Sequence, residues 1–215
     1  SQIKCYVHGN IAVELGKRPD YKWDGKFYGR PGRSIVVLTD EAVLDRMRYI
    51  CANGTKENLV TEPRRWPGAH AAQALCSGSN DTGTWIDRTE SSQIARKHTD
   101  KRRKPTVVQK TYTVKLSKIP PLAHLSDEDY AEYIKAMCND ISADAAEERK
   151  RTGKTVLGVK AIMRFSPMHI PKDQTLAPAP RVHCHDPAMR RAFIADYRAF
   201  EEAYRLANLA LRQGL

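Results

Sequence analysis

Hydrophobic positions recur along this chain at helical or strand spacing, and the pattern breaks where glycine and proline cluster. Ile3, Tyr6, Val7, Ile11 and Leu15 fall at helical intervals, so residues 3–17 predict an amphipathic helix despite Gly9. Lys17-Arg18-Pro19 ends it, and a loop rich in Gly, Lys, Arg and aromatic residues follows. Ser34-Ile35-Val36-Val37-Leu38 is a β-branched run that predicts a short strand. Thr39 then stands as the cap of a second helix, with Asp40 and Glu41 in its first turn, where the helix dipole favours acids. Gly54 lies just past its end. Val43, Leu44, Met47, Ile50 and Cys51 share one stripe of this helix and predict its buried face. Tyr49 points roughly 150° away from the centre of that stripe, by the helical period. It shares its face with Asp45, Arg46 and Asn53.

Further along, Trp66-Pro67-Gly68 opens a turn and residues 69–75 predict one or two helical turns. Residues 76–105 read as loop, and the predicted domain boundary falls there. Residues 111–116 alternate with period two and predict a half-buried strand, stopped by Pro120-Pro121. Ser126 caps a run with Tyr130, Tyr133, Ile134, Met137 and Ile141 at helical spacing, ending near Gly153. Residues 156–165 fit a short helix or a strand, and periodicity does not decide between them. Residues 167–180 form a proline-spaced connector. Asp186-Pro187 is a strong helix start, and Phe193, Tyr197, Phe200, Tyr204, Ala207 and Leu211 follow at alternating four- and three-residue steps. That stripe predicts packing, internally or against a second copy of the chain.

These elements predict an α+β fold, with a small strand-containing N-terminal part and a mainly helical C-terminal half. The segments are 1–75, a basic loop-and-strand linker at 76–120, and a helical extension at 121–215. The length of 215 residues allows one large domain or two small ones. Charge changes the picture more than size. Thirty-six Lys and Arg against 25 Asp and Glu give a net charge of +11, which favours nucleic acid or another anionic partner. Five scattered cysteines with no Cys-x-x-Cys pair argue against a disulfide framework or a thiolate zinc site. They point to a reducing cytoplasm. No apolar run approaches the ~20 residues that span a bilayer, so no membrane partner is expected. No signal pattern opens the chain, which lacks an initiator Met, and sequence upstream of Ser1 is expected. No internal repeat, P-loop or Gly-x-Gly-x-x-Gly fingerprint occurs.

Several short motifs, in order and at near-fixed spacing, carry a family resemblance. They are Phe27-Tyr28-Gly29-Arg30, Ile35-Val36-Val37 with Asp40-Glu41, Arg48-Tyr49-Ile50, Asn53-Gly54-Thr55-Lys56-Glu57-Asn58-Leu59-Val60, and Trp66-Pro67. Over about residues 1–75 the chain resembles the REP-associated tyrosine transposases, bacterial single-strand transposases with an HUH endonuclease domain. The later half resembles the C-terminal extension of some members, with no mechanism attached. The resemblance implies that Tyr49 occupies the position of a nucleophile that attacks single-stranded or hairpin DNA, leaving a 5′-phosphotyrosine link. It also implies a divalent metal cofactor, Mg or Mn, that polarises the phosphate. A phenol is a weak acid, so that chemistry needs a metal or a cation beside it.

The departures from the family pattern are specific. The family's His-hydrophobic-His metal pair precedes this region, and only His8 stands before Tyr49 here. Asn53-Gly54-Thr55 replaces Asn-Pro-Val, and Arg30-Pro31-Gly32-Arg33 replaces Arg-Arg-Tyr. This chain alone is therefore expected to bind DNA without cleaving it. His183-Cys184-His185 mimics the metal pair and would offer both imidazoles on one side of an extended strand, but it lies late in the chain. The alternative is a loop with two semi-exposed histidines. Candidate DNA contacts are Lys22, Lys26, Arg30, Arg33, Arg46, Arg48 and Lys56, then the basic run Arg96, Lys97, Lys101, Arg102, Arg103 and Lys104. Trp23, Phe27 and Tyr28 either stack bases or fill the core. A non-catalytic DNA-binding or dimerising module is the rival reading.

Overall fold

The computed structural model describes Ile11 and residues 34–97, 107–166 and 180–213. The N-terminal helix, the candidate contacts Lys22, Lys26, Arg30, Arg33, Lys101, Arg102, Arg103 and Lys104, and most of the 167–180 connector lie outside the described residues. The fold is α+β, with a small two-sheet strand part and a mainly helical C-terminal half.

The longest buried seam belongs to the helix Asp127–Thr152, here α4. Three acids open it, and the Ser126 hydroxyl accepts a hydrogen bond from the Asp129 amide at 3.0 Å, meeting one of the orphan donors of its first turn. Gly153, at φ 65°, closes it in the left-handed region that favours glycine. Tyr130, Ile134, Met137, Cys138, Ile141 and Ala145 are buried along it. Tyr133, expected on the same stripe, is 40% exposed, because the packed face is narrower than the run of apolar residues.

Two earlier helices lean on that seam. The first, α1, spans Asp40–Ala52 and buries Ala42 and Cys51, with Leu44 and Met47 half-buried against the core. Ile50 departs from expectation at 56% exposed, since it sits on the far edge of the apolar stripe, away from α4. The second, α2, spans Ala72–Ser77 and buries Ala72 and Ala74. Cys51, Ala72, Leu122, Tyr130, Ile134, Met137, Cys138 and Ile141 form one cluster. Helices from the first and later thirds of the chain thus share one core.

Strands are few. The first, β1 (Val36–Val37), pairs in parallel with a late strand, β4 (Val182–His183), with Val36 opposite Val182. Between them in sequence, β2 (Asp81–Ile86) pairs antiparallel with β3 (Gln109–Val114). Helix α3 (Arg88–Lys97) lies between these two strands, so the expected loop at 76–105 contains a strand and a helix. The reason is local: Asp87 Oδ1 accepts from the Glu90 amide at 2.9 Å, and Lys110 Nζ donates to Asp87 Oδ2 at 2.8 Å. Polar side chains hold this unit together, and hydrophobic periodicity does not register them. Every residue of β3 is exposed, which corrects the half-buried strand: the alternation is present but neither face meets the core.

Residues 156–165 resolve into a short helix, α5 (Val159–Arg164). The last helix, α6 (Pro187–Arg212), starts as expected, with Asp186 Oδ1 accepting from the Ala188 and Met189 amides at 2.7 and 3.1 Å. None of its residues is buried. The start of its aromatic stripe packs beside β4, with Phe193 half-buried and the Arg181 guanidinium 5.1 Å from the Tyr197 ring, while Phe200 and Tyr204 further along are each 64% exposed. No helix among the described residues is long and apolar enough to cross a membrane.

If α4 supplies the seam, Ile134→Ala will lower the stability read from urea unfolding by about 2–5 kcal/mol, the usual range for truncating a buried aliphatic side chain. Val114→Ala, on the exposed ribbon, will change it by about 0.5 kcal/mol or less.

Candidate nucleic-acid interface

Helix α1 has one side on the core and the other in solvent, so burial fixes which side chains it presents. Tyr49 lies on the outer side, 46% exposed. The Lys56 ammonium sits over its ring, 4.0 Å from the centroid, and the Arg46 guanidinium lies 5.1 Å away. Each cation–π contact of this exposed kind contributes about 0.5–1 kcal/mol. Together they hold two positive charges beside a phenol.

Arg46 reaches the ring because it lies three residues earlier on the same helix. Lys56 reaches it because the chain turns back after α1. The Thr55 and Lys56 amides both donate to the Ala52 carbonyl at 3.0 Å, and the Leu59 amide donates to the Gly54 carbonyl at 2.8 Å. Gly54 sits at φ 84°, where a side chain is strained. A Cβ there would lie 2.6 Å from the Trp66 ring. This explains Asn53-Gly54-Thr55 physically: a proline at position 54 would fix φ near −65° and collide with Trp66. Thr55 is fully buried beneath the turn.

The remaining candidates separate. Arg48 turns away from Tyr49 and donates to Asp144 of α4 at 2.6 Å. Both side chains of that pair are well exposed, so it orients Arg48 more than it stabilises the fold. Arg96 and Lys97 form the last turn of α3, where cations suit the dipole. They are not gathered with Tyr49 in any described contact. Basic residues that the sequence pattern left aside crowd the end of α4, where Arg149, Lys150 and Arg151 precede Lys154. The signal was visible as a cationic run, but its position in a last helical turn explains it equally well. Arg151 is engaged by Glu148 at 2.7 Å.

The histidine pair is closer to α1 than its place in the sequence suggests. Parallel pairing of β4 with β1 carries it there: the Leu38 amide donates to the His183 carbonyl at 3.0 Å. His185 Nε2 lies 2.7 Å from Asp45 Oδ2. Burial, and secondly the charge of Arg46, hold the His183 imidazole below its ordinary range. The two rings thus meet different neighbours, a carboxylate and a guanidinium, and a guanidinium beside one ring opposes a second cation there. Among the described residues, no three His, Cys, Asp or Glu side chains are grouped to hold a metal ion.

Comparisons with family models, with curated proteins and with solved structures give no match to this chain.

Two outcomes follow from this geometry. Gly54→Ala will destabilise the protein by more than about 1 kcal/mol, seen as a lower urea midpoint, because it adds both positive-φ strain and a clash with Trp66. His183 gives a pH signature with a definite sign. A histidine whose folded-state affinity for a proton is depressed supports folding while neutral, fully above the ordinary histidine range near 6.5, and that support is lost as pH falls through its lowered value. The stability difference between wild type and His183→Gln will therefore change on acidification below about 6.5 and stay flat above it.

Proposed function

We propose that this chain is a DNA-binding protein of the tyrosine-transposase kind, which meets single-stranded or hairpin DNA with the outer face of α1 and, if an upstream metal-binding segment exists, acts in DNA transposition by attack of Tyr49. The observation that carries the reading is the exposed Tyr49 ring with Lys56 and Arg46 beside it, on a protein of net charge +11. A half-exposed aromatic flanked by cations suits a sugar-phosphate strand. Its π-face stacks on bases irrespective of sequence, and the cations displace counterions from phosphate. The family resemblance of residues 1–75 supports the same position for Tyr49. Strand cleavage by the phenol would also need a divalent cation, and the described residues group no ligand set to hold one. Binding is the part that this chain's own groups support. The scattered cysteines, with no Cys-x-x-Cys pair, support a reducing, cytoplasmic setting.

A second reading, a dimerising module derived from a transposase, has its own observation. The α6 stripe at coiled-coil spacing is exposed through Phe200, Tyr204 and Leu211.

Fluorescence anisotropy with a labelled hairpin oligonucleotide tests the first reading. Affinity will fall steeply with rising salt, and Lys56→Ala will weaken binding to all sequences alike while reducing the log–log salt slope by about 1. Salt-independent binding, or an unchanged slope in Lys56→Ala, would count against it. Sedimentation velocity then separates the second reading: a dimer lost in Phe200→Glu, with DNA binding retained in the monomer, assigns α6 to self-association alone.

A further inference from the structure

Three sulfurs meet inside the fold, each from a different helix. Cys51 comes from the last turn of α1, Cys76 from α2 and Cys138 from the middle of α4. Cys51 and Cys138 are 2% and 1% exposed, whereas Cys76 keeps a partial opening to solvent. The Cys76 thiol donates toward the Cys138 Sγ across 3.7 Å. Cys138 is also hydrogen-bonded to Cys51, and that contact holds the Cys51 thiol below its usual range. Scattered in sequence, these cysteines carry no motif that would announce them.

We propose that Cys76 and Cys138 form a reversible disulfide, made by exchange with a low-molecular-weight disulfide such as oxidised glutathione. A covalent S–S bond is about 2.05 Å long, so the two sulfurs must close by roughly 1.7 Å. The shift falls to Cys76. It lies in the last turn of a six-residue helix that ends at Gly78, at φ 64°, whereas Cys138 is fixed in the centre of a 26-residue helix. Cys51 touches the same sulfur but has no opening through which a soluble oxidant can enter.

The exchange balances in two steps. The Cys76 thiolate attacks one sulfur of oxidised glutathione, forming a mixed disulfide and releasing one glutathione thiolate. The Cys138 thiolate then attacks the Cys76 sulfur and releases the second. Two protein thiols lose two electrons in total, the glutathione disulfide gains them, and the two thiol protons pass to the released glutathione. Burial and the neighbouring Cys138 sulfur push the Cys76 thiol up to about 12, so its thiolate is scarce at neutral pH. The bridge therefore forms slowly, closing a loop between positions 62 residues apart.

The test uses the full chain, purified reduced and then incubated with oxidised glutathione. Intact mass will fall by about 2 Da, and peptide mapping without reduction will link the Cys76 and Cys138 peptides. Cys51→Ser will keep that link and Cys76→Ser will lose it. The bridged protein will melt roughly 5–10 °C higher than the reduced one, and added reduced glutathione will reverse the shift. A Cys51–Cys138 link, a reaction that stops at a glutathione adduct on Cys76, or thiols that all remain alkylatable after prolonged incubation would each overturn the proposal.

Discussion

The burial of one side of α4 against α1 and α2 is the interaction on which the rest of this structure depends. Neither partner helix brings much of its own. Ala42 and Cys51 are the buried residues of α1, and Ala72 and Ala74 those of α2. The larger side chains come from α4, with Ile134 completely enclosed. Helices of 13 and six residues are marginal alone in water, so packing on this 26-residue partner sets their orientation. Once that contact forms, the outward direction of Tyr49 is no longer free. It is the side of α1 left over after the core has taken Leu44, Met47 and Cys51.

From that contact the neighbourhood of Tyr49 follows in two directions along the chain. Forward, the turn at Gly54 folds Lys56 back over the ring, and Trp66 packs where a side chain at Gly54 would otherwise stand. The same turn anchors a later segment, since the Leu157 and Gly158 amides donate to the Asn58 and Leu59 carbonyls at 2.8 and 2.9 Å. On the other side, β1 takes β4 as its parallel neighbour and brings His183 and His185 beside Arg46 and Asp45. The candidate interface is therefore assembled from pieces far apart in the chain. A fragment ending before α4 would keep the motif residues and lose the packing that directs them.

Much of this organisation was legible in the sequence where one residue type has one physical use. Ser126 and the Asp186-Pro187 pair marked helix starts because short oxygen-bearing side chains satisfy free amides. Gly54 and Gly153 marked helix ends. The off-stripe position of Tyr49 followed from counting, and its ring lies outside the core. What stayed hidden depended on partners. Nothing local tells whether the alternating residues of β3 will find a core, and they do not. Helix α3 and its flanking strands are held by Asp87, Glu90, Ser91 and Lys110, whose polar contacts leave no hydrophobic period to read. The approach of His183 to α1 and the meeting of three cysteines are long-range consequences of strand pairing and helix packing. No spacing rule encodes them.

The central claim is that Tyr49, between Lys56 and Arg46, faces a nucleic-acid strand. Photocrosslinking with an iodouracil-substituted hairpin or single-stranded DNA, followed by mass-spectrometric mapping of the modified peptide, addresses it most directly. The expected result is an adduct on Tyr49 that a competing unlabelled strand suppresses. Adducts confined to residues remote from α1, or no specific adduct at concentrations where the DNA is bound, would contradict it.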